Sequence, residues 1–261
     1  MRLKLSLIQM DISWGKPDEN WARAVLLIQE AKRYESQVIV LPELWLSGYA
    51  LEEAKALASP LGKGSFQHLS ILARENGVYI IGSTLEEKEG HFYNTATVFS
   101  PDGELIALYR KVHLFAPMGE QKHLSDGEEA RVFPFPWGKG ALAICYDLRF
   151  PELFRKYALG GAEIAFIPAQ WPEARIEHWR LLLRARAVEN QMFIVGCNRV
   201  GESQGTRFGG HSAIYGPGGE LIVEGGQEEI ILTASIELSQ VQEVRKAFPV
   251  LRDRRPEVYN R

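Results

Sequence analysis

The sequence predicts an α/β protein in which two sheets pack face to face, with helices on the outside. Short, wholly apolar segments flank amphipathic helical segments, and the order strand–helix–strand–Pro occurs twice. A Pro-x-Gly-Glu-Leu-Ile turn also occurs twice, at residues 101–106 and 217–222. Strands that are apolar on both sides must be covered on both faces. We therefore predict two similar halves, without a linker, that form two layers of a single domain spanning residues 1–261.

The elements of the first half follow from periodicity and turn chemistry. A helix with its apolar side at every third or fourth position begins after Asp18 or Asn20, either of which suits a cap. A second helix covers residues 65–76 and ends at Gly77. The predicted strands are residues 3–10, 38–41, 78–83, 95–99 and 104–109. Residues 114–127 have no periodicity, which is typical of a long functional loop.

The second half repeats this pattern. Pro151 is placed in the first turn of a helix that continues over 152–159, since a proline is tolerated there. Residues 174–191 are predicted to be the longest helix. Cys197 lies inside a buried strand, where we interpret it as a core residue. The predicted strands are residues 142–144, 164–167 and 192–197, followed by a hairpin around 213–222.

Composition limits the classes of function. The chain of 261 residues is 46% hydrophobic and 24% charged, with a formal net charge of -3, so we expect neither nucleic acid nor membrane as a partner. Two cysteines cannot form a disulfide framework, and residues 1–10 lack the apolar run of a signal peptide. We therefore expect a cytoplasmic protein. The six histidines lack metal-ligand spacing, and no cofactor is expected.

Three polar residues stand at the ends of predicted buried strands: Glu43, Lys111 and Cys145. In α/β sheets, ligands bind in the crevice beyond the carboxyl ends of the strands. Cys145 also precedes the helix that starts at Pro151, and a helix N-terminus lowers the pKa of a thiol and favours a nucleophilic thiolate. Taken singly, Glu43 could be a solvated carboxylate, Lys111 a surface cation and Cys145 a buried core thiol. The presence of all three at strand ends favours a common site.

Three segments resemble the signature motifs of the carbon–nitrogen hydrolase (nitrilase) superfamily, in the same order. They are LPE at residues 41–43, YRKVHLF at 109–115 and ICYDLRFPE at 144–152. The segments 171–172 (WP), 178–179 (HW) and 185–191 (ARAVENQ) are most similar to the omega-amidase branch, and the likeness extends to DRRPE at 253–257. The resemblance implies a four-layer αββα sandwich, a Glu–Lys–Cys triad, no metal and homo-oligomers. The tail, about residues 245–261, is expected at an oligomer interface.

The resemblance also implies roles for the site residues. Cys145 attacks the carbonyl carbon of an amide, and Glu43 moves the proton from the thiol to the departing ammonia and then activates water. Lys111 and the backbone N–H of Tyr146 hold the oxyanion. Glu120 matches a second glutamate beside the lysine. The product acid is released after hydrolysis of a cysteinyl thioester.

The same branch acts on amides whose far end carries a carboxylate, such as 2-oxoglutaramate and 2-oxosuccinamate. Arg149 matches the arginine that binds this carboxylate through paired hydrogen bonds; an ion pair with Asp147 or Glu152 is the alternative. Tyr49 and Trp171 are expected to form walls of the pocket, and the animal members of the branch lack this tryptophan. Two other functions stay open: an N-carbamoyl amine hydrolase or nitrilase with the same triad, and a non-catalytic small-molecule binding protein.

Overall fold

The computed structural model describes residues 2–259, and these contain two six-stranded sheets. The strands are β1 (Arg2–Gln9), β2 (Val38–Val40), β3 (Tyr79–Lys88), β4 (His91–Phe99), β5 (Leu105–Arg110), β6 (Val132–Phe135), β7 (Gly138–Leu142), β8 (Ile164–Ala169), β9 (Phe193–Asn198), β10 (Val200–Ser203), β11 (Thr206–Gly209), β12 (Ala213–Tyr215), β13 (Leu221–Glu224) and β14 (Ile230–Glu237). The helices are α1 (Pro17–Arg33), α2 (Ala54–Leu57), α3 (Gly64–Asn76), α4 (Pro151–Leu159), α5 (Ile176–Asn190), α6 (Ser239–Ala247) and α7 (Pro256–Tyr259).

The two sheets have the same succession of parallel and antiparallel strands. The first has the order β14-β1-β2-β3-β4-β5, and the second, read in the equivalent sense, has the order β6-β7-β8-β9-β12-β13. In each, three successive strands are parallel (β1–β3 and β7–β9), and antiparallel strands lie on both sides of them. The predicted similarity of the two halves is confirmed, and β10 and β11 form a separate hairpin.

Apolar side chains cover both faces of the first sheet: one face packs on the second sheet and the other on helices. Val38 and Val40 of β2 belong to the core between the sheets, whereas Ile39 between them packs with residues of α1 and α3. On the outer face of the second sheet, Trp179 and Leu183 of α5 pack against the strands. Burying each such side chain contributes about 1.5–3 kcal/mol. The αββα sandwich is therefore confirmed.

Several predicted boundaries were wrong. Helix α1 begins at Pro17, not after Asp18 or Asn20, because the fixed φ of proline starts the helix one turn earlier. The Asn20 side chain is buried and donates to the carbonyls of Ser13 (2.7 Å) and Leu46 (2.9 Å). Helix α5 has 15 residues and α1 has 17, so α5 is not the longest helix.

The strands differ from the prediction in length and number. Strands β3 and β4 form a longer hairpin than residues 78–83 and 95–99, because the charged side chain of Glu86 is buried against Arg110 (2.8 Å). The strand predicted at residues 142–144 is β7, Gly138–Leu142. Ala143 and Ile144 are fully buried but lie after the end of this strand, so their apolar character did not mark strand residues. Strands β6, β10, β11 and β14 were missed.

The C-terminal segment contains α6 and α7, and its last two residues, 260 and 261, lie outside the described residues. In α6, the Arg245 guanidinium donates to the carbonyl oxygens of Ala162 (2.7 Å) and Gln191 (3.2 Å), which ties this helix to the second half. Among residues 2–259, we find no helix whose length and hydrophobicity would let it cross a membrane.

Candidate active site

The side chains of Glu43, Lys111 and Glu120 meet in the interior and are fully buried. Glu43 follows β2, Lys111 follows β5, and Glu120 comes from the loop after Lys111, where it begins a short 3₁₀ turn, Glu120–Lys122. Lys111 Nζ lies 2.8 Å from Oε1 of Glu43 and 2.7 Å from Oε1 of Glu120. The ammonium is thus held between two carboxylates, which compensates for its removal from water.

The Glu43 carboxylate is fixed by two further donors. Oε1 accepts a hydrogen bond from Asn94 Nδ2 (2.8 Å), and Oε2 accepts one from the backbone N–H of Gln170 (3.0 Å). The Tyr49 hydroxyl, which donates to Glu120, lies 3.3 Å from Oε1. The Gln170 side chain also donates to the carbonyl oxygen of Glu43 (2.8 Å). A carboxylate bound at both oxygens and at its own backbone has one orientation.

Burial sets the protonation of this cluster. Desolvation raises the pKa of Glu43, against the lowering effect of Lys111, and the charge of Glu120 raises it further. Burial alone would lower the pKa of Lys111, but Glu120 and Glu43 outweigh it and raise that pKa, so the amine stays charged. Burial and the same carboxylates raise the pKa of Tyr49 well above its usual value, which keeps its hydroxyl as a donor to Glu120. The cluster therefore combines a fixed cation with a carboxylate that binds a proton readily.

Cys145 begins a tight 3₁₀ turn, Cys145–Arg149, and has a positive φ of 44°. This backbone region is uncommon for residues other than glycine and costs about 1–3 kcal/mol. This turn lies between the thiol and α4, which begins at Pro151 as predicted.

The predicted lowering of the thiol pKa is wrong. Burial raises the pKa of Cys145 well above its usual value, and the Glu43 carboxylate adds to this, while Lys111 acts in the opposite direction. The sequence pattern suggested a thiolate because it shows the nearby helix start but not the burial. In the resting site, Cys145 is a thiol beside a carboxylate that can accept its proton.

Asp147 connects the turn that carries Cys145 to the segment that carries Lys111. Its Oδ2 accepts from the backbone N–H of Ile144 (2.9 Å) and the Tyr109 hydroxyl (2.8 Å). Its Oδ1 lies 3.1 Å from the backbone nitrogen of His113 and 2.7 Å from Nδ1 of the same residue. One buried carboxylate therefore holds together the two chain segments on which the site depends.

Cys145 lines a cavity with about 300 Å³ of empty space. Tyr49, Tyr146, Arg149 and Trp171 also line it. The Arg149 guanidinium lies over the Trp171 ring, 4.8 Å from its centroid, and 3.4 Å from Nδ1 of His178.

The alternative partners predicted for Arg149 are not observed. Within residues 2–259, Arg149 forms no ion pair with Asp147 or Glu152, and Asp147 is occupied by other donors. Cys197 is a core residue as predicted: it is fully buried, and its Sγ lies 3.2 Å from the carbonyl oxygen of Val40. In the same part of the chain, we find no group of three or more His, Cys, Asp or Glu residues that could hold a metal ion.

The family model described as carbon–nitrogen hydrolase matches residues 4–246. The chain belongs to the carbon–nitrogen hydrolase family.

Relatives within this family align over nearly the whole chain. A 2-oxoglutaramate amidase of Bacillus subtilis (strain 168) is 42% identical over 260 residues, covering 99% of this chain and 100% of the relative. The omega-amidase NIT2-A of Xenopus laevis is 37% identical, covering 99% and 97%. The predicted likeness to omega-amidases is confirmed.

A mutant of the amidase from Nesterenkonia sp. AN1 has a similar structure, with a TM-score of 0.87 and 27% identity over 99% of this chain and 96% of that chain. That structure shows covalent addition of the acetamide moiety of fluoroacetamide at its active-site cysteine.

Several residues of this carbon–nitrogen hydrolase site were missed from the sequence. Gln170 and Asn94 both hold Glu43, and Arg199 holds Gln170 in turn, with its guanidinium 3.1 Å from Oε1 of the amide. Arg199 is fully buried and stacks on Phe208 at 4.3 Å; burial lowers its pKa to about 10. The only signal for these residues is a polar side chain within or directly after a buried strand, which does not identify its partner.

Replacing Lys111 should destabilise the protein strongly at neutral pH. Lys111→Met leaves two buried carboxylates without their cation, and we expect the free energy of unfolding to fall by about 3–5 kcal/mol at about pH 7. Lys111 lowers the pKa of Glu43, so this pKa rises further in the variant. The folded variant then binds more protons than its unfolded chain, and its stability falls as pH rises through this range. The deficit should therefore be smaller at about pH 5.

Urea unfolding at both pH values measures this difference. Lys122→Met is the matched control, because Lys122 is exposed on the same loop; its effect should stay within about 0.5 kcal/mol. If Lys111→Met were as stable as the control at neutral pH, the ion pairs would not hold the cluster together.

Proposed function

We propose that this protein is a thiol-dependent amidase that hydrolyses the omega-amide of a small dicarboxylic acid monoamide of the 2-oxoglutaramate or 2-oxosuccinamate type. The observation that carries the proposal is that Cys145 lines a cavity with Arg149 and contacts Glu43. Behind this thiol, the Glu43 carboxylate lies 2.8 Å from Lys111 Nζ. The name of the Bacillus subtilis relative supports the substrate class.

The first half-reaction transfers the acyl group to the thiol. Glu43 takes the proton of Cys145 while Sγ attacks the amide carbonyl carbon, and the C=O double bond becomes a C–O⁻ single bond. Lys111 and the backbone N–H of Tyr146 stabilise this oxyanion, and one such donor typically contributes about 10²–10³ in rate. Glu43 then gives its proton to the nitrogen, the C–N bond breaks, and ammonia leaves a thioester on Cys145.

The second half-reaction releases the acid. Glu43, again ionised, removes a proton from a water molecule, whose oxygen attacks the thioester carbonyl. The C–S bond breaks, and Sγ recovers the proton from Glu43. A carboxylate whose pKa is raised by burial suits both directions of this transfer, because a base works best when its pKa lies near the working pH.

The cavity supports a small, anionic substrate. The space beside Cys145, about 300 Å³ with its open mouth included, suits a small molecule. Arg149 is proposed to bind the substrate carboxylate, since a guanidinium offers two parallel N–H donors to it. Tyr49 and Trp171 are the proposed walls.

Ammonia release from 2-oxoglutaramate, 2-oxosuccinamate and succinamate tests the proposal. We expect turnover of at least the two 2-oxo substrates, none with Cys145→Ala, and a loss of about 10²–10⁴ in kcat with Glu43→Gln. Cys197→Ala is the matched control and should retain activity, because Cys197 lies in the core away from the cavity.

Inactivity on all three amides would contradict the proposed substrate. Turnover of an N-carbamoyl amino acid or a nitrile instead would assign the same triad to a carbamoylase or a nitrilase. If Cys145→Ala left turnover unchanged, the thiol mechanism would be wrong.

A homo-oligomer is proposed as the working form. Helix α5 exposes Leu181 (66%) and Val188 (48%), which lie seven positions apart on one face, and Phe248 after α6 is 70% exposed. Exposed apolar side chains on one face of a helix are typical of protein–protein interfaces. Light scattering should give a multiple of 29.4 kDa, and Leu181→Glu with Val188→Glu should lower it. A monomeric mass for the unmodified protein would contradict this proposal.

The cytoplasm is the proposed compartment. Cys145 and Cys197 are both free, and a free catalytic thiol is preserved in a reducing environment. The proposed reaction needs no partner other than the amide and water.

A further inference from the structure

The cavity beside Cys145 contains a second guanidinium. Arg175 lines it together with Arg149, and none of the lining residues is acidic. Within residues 2–259, neither arginine forms an ion pair with a carboxylate. Two cations without counter-ions in one small cavity indicate a ligand with more than one oxygen acceptor.

Both guanidinium groups are seated on aromatic rings. Arg149 lies over Trp171 at 4.8 Å, and Arg175 lies over Phe115 at 5.6 Å. Stacking occupies the flat face of a guanidinium and leaves its in-plane N–H groups for oxygen acceptors. The two arginines are therefore arranged to bind oxygens while their faces stay packed.

The position of Arg175 is fixed by the same aromatic residue that supports Arg149. Nε1 of Trp171 donates to the carbonyl oxygen of Arg175 (2.8 Å). Phe115, under the guanidinium, donates its backbone N–H to Oε2 of Glu120 (2.6 Å). Arg175 is thus held by the pocket wall on one side and by the loop of the buried cluster on the other.

Arg175 stands where the cavity opens outward. An outer groove shares Phe115, Met118, Pro172 and Arg175 with the cavity but does not include Cys145. A substrate with its amide carbon at Sγ and its carboxylate at Arg149 can therefore present an oxygen next to that carboxylate to Arg175.

We propose that Arg175 is a specificity-determining residue that binds the 2-oxo oxygen of the substrate, next to the carboxylate held by Arg149. This assignment rests on the proposed amidase function and narrows its range of substrates. The cavity selects amides of 2-oxo acids over amides of the corresponding simple dicarboxylic acids.

The test compares 2-oxoglutaramate with glutaramate, which lacks only the 2-oxo group, and with neutral pentanamide. Arg175→Met should lower kcat/KM for 2-oxoglutaramate by about 10- to 100-fold, the loss expected for a hydrogen bond to a charged group. Glutaramate and pentanamide should change by less than about 3-fold, and Arg175→Lys should recover part of the loss.

Arg207→Met is the matched control. Arg207 lines the outer groove but not the cavity, so its removal deletes the same charge without the proposed contact. The preference for 2-oxoglutaramate should stay unchanged in this variant. Equal losses on 2-oxoglutaramate and glutaramate in Arg175→Met, or no loss on either, would overturn the proposal.

Binding to Cys145→Ala separates this inference from the amidase function. Calorimetry should show tighter binding of 2-oxoglutaramate than of glutaramate, and Arg175→Met in the same background should abolish the difference. This preference is measured without turnover, so an inactive wild-type protein would refute the amidase proposal, whereas equal binding of the two acids would refute the role of Arg175.

Discussion

The ammonium of Lys111 between the carboxylates of Glu43 and Glu120 is the interaction on which the rest of the site depends. All three groups are fully buried, and a single unpaired charge at such a depth would cost several kcal/mol. Their pairing requires the end of β2, the end of β5 and the loop that carries Glu120 to meet at one point. The same pairing places a fixed cation and a proton-accepting carboxylate beside Cys145.

The fold supplies the positions, and hydrogen bonds from buried polar groups fix the orientations. The doubled sheet brings segments from both halves of the chain to one region, but a sheet does not orient a side chain beyond its end. Gln170 orients Glu43, and Asp147 joins the Cys145 turn to the segment after Lys111. These polar groups tolerate burial because each has its partners. Catalytic geometry therefore depends on residues that need not touch the substrate.

The sequence predicts the sandwich and the family well, because two-sided apolar strands and ordered motifs are local features. Glu43, Lys111 and Cys145 stand out for the same reason, as polar residues directly after such strands. The parts that were wrong depend on tertiary packing. The rise in the Cys145 pKa follows from burial, the hairpin extension through Glu86 follows from its pairing with Arg110, and the contacts of Gln170 follow from the meeting of the two sheets. None of these partners is near in the chain.

The central claim is that the thiol of Cys145 carries the acyl group during turnover. Peptide mass spectrometry of protein quenched in acid during hydrolysis of 2-oxoglutaramate measures this directly, since a thioester survives acid. We expect the Cys145 peptide to gain the mass of the acyl group and the Cys197 peptide to remain unmodified. Product formation with the acyl group on another residue, or with Cys145 unmodified throughout turnover of the unmodified protein, would contradict the account.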